Sequence, residues 1–127
     1  MKAAPQKTKI LLVDDEPTIV EVVKMRLEVE GFDVSVATDG QEALEMAHAQ
    51  RPDLIILDVM LPKIDGYMVC GTLKKDARTC KIPIVMFTAR SQARDEKFGR
   101  ECGADAYIKK PFESQELLEK IRTQLEL

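Results

Sequence analysis

Tryptophan is absent from the chain, His48 is its only histidine, and aromatic residues make up just 5% of it. Three cysteines, Cys70, Cys80 and Cys102, lie far apart with no C-x-x-C and no neighbouring histidine, so neither a zinc site nor a disulfide framework is suggested. They read as reduced thiols of a cytoplasmic protein. No apolar run approaches the roughly 20 residues of a membrane span, and the opening residues 1–7 carry no apolar stretch of the kind a secretory signal needs. Cationic excess is missing as well: 19 Lys and Arg against 22 Asp and Glu give a formal charge of -3. A phosphate backbone is held by counterion release, so nucleic acid is not expected as a direct partner. What is present, 127 residues of which 45% are hydrophobic and 32% charged, is the composition of one globular domain long enough to bury a core.

Three uninterrupted apolar runs, Ile10-Leu11-Leu12-Val13, Leu54-Ile55-Ile56-Leu57 and Ile82-Pro83-Ile84-Val85-Met86-Phe87, read as strands buried on both faces of a parallel sheet. Val34-Ser35-Val36 and Ala106-Tyr107-Ile108 are shorter and more mixed, so they are placed nearer the sheet edges. Between the strands lie helical patterns. Pro17 opens the first helix, Val20, Val23 and Leu27 share its face, and Gly31 stops it. Residues 41–50 form a second helix carrying Ala43, Leu44 and Ala47, which ends before Pro52. Residues 66–75 and 91–102 give a third and a fourth, softened by Gly71 and Gly99, each worth about 1 kcal/mol against alanine. A fifth, with Leu117, Leu118, Ile121 and Leu125 on one face, follows Ser114 as its cap. The fourth is mostly polar, with Phe98 its one large apolar residue, so few contacts hold it in place. Five strands alternating with five helices imply an α/β domain with a parallel sheet wrapped on both sides by right-handed crossovers. Residues 1–7 are expected to form a flexible leader and 8–127 the single domain.

In such a sheet all strands end on one edge, and ligands bind outside it. Strand one runs into Asp14-Asp15-Glu16, strand three into Asp58, strand four into Thr88 and strand five into Lys109-Lys110-Pro111. Any one of these residues alone is an ordinary turn former, cap or solvated charge. Together, three carboxylates on one edge repel one another unless a cation sits among them, and oxygen ligands of this kind suit magnesium beside a phosphate. A carboxylate nucleophile, magnesium, a lysine and a hydroxyl make a phosphoryl-transfer site.

Over roughly residues 8 to 125 the chain resembles the receiver domains of two-component response regulators. The motifs that carry the resemblance are Val13-Asp14-Asp15-Glu16, Leu57-Asp58-Val59-Met60-Leu61-Pro62, Asp65-Gly66, Phe87-Thr88-Ala89, Gly103-Ala104-Asp105-Ala106-Tyr107 and Lys110-Pro111-Phe112. The resemblance implies a doubly wound (βα)5 flavodoxin-like fold with strand order 2-1-3-4-5. It further implies that Asp58 takes a phosphoryl group from the phosphohistidine of a sensor histidine kinase or phosphotransfer protein. Asp15, Asp58 and the Met60 carbonyl would bind Mg2+, with Asp14 holding a metal-bound water. Lys110 would pair with a carboxylate oxygen and then with the phosphoryl group. Thr88 and Tyr107 would switch the surface formed by the fourth helix, fifth strand and fifth helix, and the Lys110-Pro111 bond would be cis. Met60 and Arg90 occupy positions that tune the lifetime of the acyl phosphate in this family, and here they are expected to shield it from water. Met60, Arg90 and Pro62 are similar to receivers that precede winged-helix DNA-binding domains, whereas Glu96 stands where those carry a basic residue.

Such a protein signals and is not an enzyme with a turned-over substrate, beyond its own phosphotransfer and dephosphorylation. The competing enzyme reading is an Asp-nucleophile phosphatase of the haloacid-dehalogenase type, which would need Asp-x-Asp after strand one and a later acid pair. A flavin carrier on the same fold would need a hydroxyl-rich loop where the acids stand, and more aromatics. A degenerate receiver that only binds partners is disfavoured by the full set Asp14, Asp15, Asp58, Thr88 and Lys110. The partners expected are the kinase and either a downstream target protein or a missing effector domain, with no membrane, and the state is a monomer or a phosphorylation-dependent dimer. His48 reads as a surface or partly buried residue, Met46, Met68 and Met86 as fillers of core gaps, and Tyr67 as packing on the third helix.

Overall fold

Apolar and β-branched residues at adjacent positions can all be buried only if both faces of their strand are covered, and this is how the central strands sit. The structure, a computed structural model, describes residues 7–88, 102–110 and 112–125. Five parallel strands, β1 (Lys9–Val13), β2 (Asp33–Ala37), β3 (Leu54–Asp58), β4 (Ile84–Thr88) and β5 (Ala106–Lys109), form one sheet in the order β2-β1-β3-β4-β5. This is the flavodoxin-like order expected, with the two mixed strands at the edges. Strand β4 begins two residues later than the apolar run suggests. Pro83 has no N–H to give to a ladder, although its carbonyl still accepts from the Ile55 amide at 3.0 Å.

Alternation divides the core in two. Ile10, Leu12, Leu54, Ile56, Val85, Phe87 and Ile108 point to one face, where they meet Val23 and Leu27 of α1 (Pro17–Val29) and Leu117, Leu118 and Ile121 of the last helix (Ser114–Leu125). Leu11, Val13, Ile55, Leu57, Ile84 and Met86 point to the other, against Ala43 and Ala47 of α2 (Gly40–Gln50) and Val69, Cys70 and Leu73 of α3 (Gly66–Lys75). Helices therefore cover both faces, and the strand order reverses between β1 and β3.

Helix ends follow local chemistry. Pro17 takes the first position of α1, where an amide would lack a partner in any case. Gly31 adopts φ +95 just beyond its end. The Asp39 carboxylate caps α2 by accepting from the Glu42 amide at 2.8 Å, and Asp65 caps α3 by accepting from Met68 at 3.0 Å. Ser114 is the first residue of the last helix and not the residue that flanks it. At the far end of α3 the buried Thr79 hydroxyl donates at 2.7 Å to the Leu73 carbonyl, which also accepts the Asp76 amide at 3.3 Å. Thr79→Val keeps the shape and removes the shorter of the two bonds, so a loss of about 1 kcal/mol is expected in urea unfolding.

Several expectations need correction or fall outside view. Met68 is 62% exposed and fills no core gap, unlike Met46 and Met86. His48 is partly buried, as expected, and is also engaged: Nδ1 hydrogen-bonds the Leu44 carbonyl at 2.8 Å and Nε2 meets Asp76 at 2.9 Å, which staples α2 to the turn after α3. The fourth expected helix, apart from Cys102, lies outside the described residues, as do Arg90, Glu96, Pro111 and leader residues 1–6.

Candidate functional site

Beyond the carboxyl ends of β1 and β3, at the reversal of strand order, the structure gathers Asp14, Asp15 and Asp58. One carboxylate oxygen from each lies within 4.8 Å of the others. Asp14 follows β1 and is held there by backbone pairing, its amide donating to the Ala37 carbonyl at 3.1 Å. Its side chain is 0% exposed, and Oδ1 accepts the Glu16 amide at 2.9 Å. Asp15, its neighbour in sequence, faces solvent. Asp58 ends β3, is 5% exposed, and accepts the Met60 amide on Oδ1 at 3.3 Å.

Lys110, which follows β5, supplies the cation. Its Nζ donates to Asp14 Oδ2 at 2.9 Å and lies 3.5 Å from Asp58 Oδ2. The ammonium also sits over the Phe87 ring, 5.5 Å from its centroid, and Phe87 stacks on Phe112 at 4.9 Å. The site thus rests directly on the core. Burial works against the charge on Lys110, but the pull of Asp14, Asp58 and Glu16 outweighs it and raises the lysine pKa.

Asp58 moves the other way for a carboxylate. Burial, and after it the charge of Asp14, push its pKa up from 3.8 to about 6, and Lys110 offsets only part of this. An oxygen-only donor set with uncompensated negative charge, one member exposed and two buried, fits a hard divalent cation that keeps some of its waters. Asp14, Asp15 and Asp58 are the residues that could hold it.

Of the other expected site residues, Thr88 ends β4 beside Lys109 of β5, and its side chain is outside the described part. Tyr107 is half-buried, pairs in register with Met86 and packs against the core cluster of that face. Met60 is 74% exposed at the mouth of the site. Gly66 brings the start of α3 against the Asp58–Val59 backbone, where an added Cβ would strike the Asp58 carbonyl oxygen and lie 2.8 Å from Val59 Cα. Sequence reading noted the Asp65-Gly66 pair without this role. It also missed Phe87 as the floor beneath Lys110, and the Asp39 cap, for which the Asp-x-x-Glu spacing was the available signal.

The response regulator receiver domain family matches residues 10–122. The chain is 45% identical over 117 residues to the DNA-binding dual master transcriptional regulator RpaA of Synechocystis sp., covering 92% of this chain and 48% of that protein. It is 46% identical over 114 residues to the alkaline phosphatase synthesis transcriptional regulatory protein PhoP of Bacillus subtilis, covering 90% and 47%. The chain therefore spans about half the length of the curated relatives it matches. Among solved structures, a putative response regulator from Chloroflexus aurantiacus superposes with TM-score 0.92 at 37% identity, covering 96% of this chain and 100% of that one. The receiver domain of a sensor histidine kinase from Pseudomonas aeruginosa PAO1, which has a magnesium ion coordinated in its active site cleft, superposes with TM-score 0.89 at 30% identity, covering 96% and 100%. None of these is a phosphatase of the haloacid-dehalogenase type. The site at the sheet edge, the strand order and these matches agree, and the chain belongs to the response regulator receiver domain family, a signalling family of two-component systems.

Proposed function

We propose that Asp58 is the phosphoacceptor of a His-to-Asp phosphorelay. The observation that carries this reading is the Asp58 carboxylate itself, almost buried at the end of β3, 3.5 Å from the Lys110 ammonium and grouped with Asp14 and Asp15. With a pKa of about 6 it is ionised at neutral pH yet poorly solvated, which suits a nucleophile.

An Asp58 oxygen attacks the phosphorus of a phosphohistidine on a sensor kinase or phosphotransfer protein. The O–P bond forms, the N–P bond breaks, and the imidazole leaves with its electron pair and takes a proton from solvent. Lys110 holds one carboxylate oxygen before transfer and a phosphoryl oxygen after it. Asp15, Asp58 and the Met60 carbonyl would hold Mg2+, with Asp14 acting through a water; bound there, the ion neutralises charge on the transferring group. Hydrolysis of the acyl phosphate, slowed by Met60 and Arg90, resets the site.

The added group brings about -1.5 to -2 charge and three acceptor oxygens to the edge. Thr88 and Tyr107 respond to it, and the face made by β5 and the last helix, with the fourth expected helix beside it, changes its partners. Residues 8–127 act as one receiver unit in the cytoplasm, as a monomer or a phosphorylation-dependent dimer. The output passes to a target protein or to an effector domain. Contact with nucleic acid, which RpaA makes by its name, would then belong to a segment other than this receiver.

Intact mass after incubation with acetyl phosphate and Mg2+ tests the assignment. One added phosphoryl group is expected, lost with chelator and lost in Asp58→Asn. No gain in the folded protein, or a gain that survives Asp58→Asn, overturns it.

A further inference from the structure

The cysteines read from the sequence as separate thiols are not separate in the fold. Cys70 lies on the buried face of α3 with no exposed surface, and its Sγ donates to the Cys102 carbonyl at 3.5 Å across 32 residues of chain. The two side chains also lie close enough to act on each other's protonation. Cys102 is half-buried and forms part of the wall of a surface groove of about 550 Å³ with Tyr67, Gly71, Thr72 and Lys75. Cys102 is therefore partly open to the groove, and the fully buried Cys70 lies behind it.

We propose that Cys102 and Cys70 form a peroxide-responsive dithiol site, in which Cys102 is oxidised first and Cys70 resolves it to a disulfide. The neighbouring Cys70 side chain, with backbone amides at Cys102 and Ala104, lowers the Cys102 pKa to about 7 despite burial, while Cys70 is pushed well up. Among the described residues, the charged groups that act on the pair are Lys74 and Asp105 on Cys70 and Asp65 on Cys102. A thiolate at neutral pH beside a protonated thiol is the arrangement of a redox-sensitive pair.

The Cys102 thiolate attacks one oxygen of hydrogen peroxide, the O–O bond breaks, and the departing hydroxide becomes water with a proton from solvent. Cys102 is then a sulfenic acid. Cys70 sulfur attacks that sulfur as it gives up its proton, the S–S bond forms, the S–O bond breaks, and the second oxygen leaves as water. Two thiols and one peroxide yield one disulfide and two waters. The bond fastens α3, whose first turn rests on the Asp58 backbone, to the residue that leads through Gly103 into β5.

The site needs nothing from the phosphoryl reading, and its test does not use it. The full chain is treated with hydrogen peroxide at neutral pH and read by intact mass and non-reducing peptide mapping. The wild type is expected to lose two hydrogens, to join the peptides that contain residues 70 and 102, and to regain its mass with dithiothreitol. Cys80→Ser, whose native thiol bonds the Ala77 carbonyl at 3.8 Å, is expected to behave the same way. Cys102→Ser should slow peroxide-dependent thiol loss by about tenfold or more. Cys70→Ser should leave a sulfenic acid on Cys102 that dimedone traps. Cys70→Ala serves if the serine variant does not fold, since it places no hydroxyl in the core. Oxidation through Cys80, or oxidation of Cys102 in the wild type with no cross-link, overturns the proposal.

Discussion

Asp58→Asn is expected to raise stability while it abolishes phosphorylation. Burial and Asp14 lift the Asp58 pKa from 3.8 to about 6 in the folded chain, so the charged carboxylate is less at ease there than in the unfolded one. Between those values the native state binds more protons than the unfolded state, and ∂ΔG/∂pH is negative. Stability is greatest below the unfolded pKa, falls as pH rises from about 4 to about 6, and stays lower above that. The shift corresponds to about 3 kcal/mol at neutral pH, an upward Tm change on the order of 10 °C when the charge is removed. Thermal unfolding of both proteins in chelated buffer at pH 4.5 and pH 7.5 measures this. The gap should open at the higher pH, and added Mg2+ should narrow it by stabilising the wild type alone. A variant no more stable than the wild type at pH 7.5 would mean that Lys110 compensates Asp58 in full.

Gly66→Ala carries the second large effect, and it is destabilising. The new Cβ meets the Asp58 carbonyl oxygen and the Val59 Cα, which are backbone atoms that cannot rotate away. Either α3 lifts from the sheet or β3 bends at the residue that carries the carboxylate. A loss of about 3 to 4 kcal/mol is expected, with phosphorylation falling together with it. Gly31→Ala is the control. Gly31 has φ +95 but nothing within 4 Å of an added Cβ, so its cost is the backbone strain alone, about 1 kcal/mol. Chemical denaturation of the two variants separates a steric collision from a conformational preference. Equal losses would refute the close approach of α3 to Asp58.

The site was legible because parallel topology turns strand ends into neighbours. Once Val13, Asp58 and Lys109 are recognised as last strand residues, Asp14, Asp58 and Lys110 must share an edge. Burial within that edge was not legible: Asp14 and Asp15 are adjacent and look equivalent, and only the pairing of the Asp14 amide with Ala37 turns one inward. Helical spacing did carry the position of Met68, and the reading as a core filler overlooked it. At about 100° per residue Met68 falls nearly opposite the stripe of Gly66, Val69, Cys70 and Leu73, on the outer side of α3. Cys70 and Cys102 show the limit most plainly. Their approach follows from how α3 lies across the sheet, and no local pattern in a chain carries that angle. Pro83 was the opposite case, a residue whose missing donor should have shortened the apolar run by itself.

The Lys110–Asp14 bond spans 96 residues, which makes it an event in folding as well as a contact. Strand β1 emerges first from a ribosome and β5 near the end, so Asp14 has no internal cation until almost the whole domain has been made. Loop closure over such a distance is slow, and a carboxylate destined for complete burial resists collapse around it in the meantime. The Lys110–Asp14 pair therefore cannot form before β5 has been made. An unfinished chain can build hydrophobic layers around β1 and β3, but the charge arrangement at the sheet edge waits for Lys110.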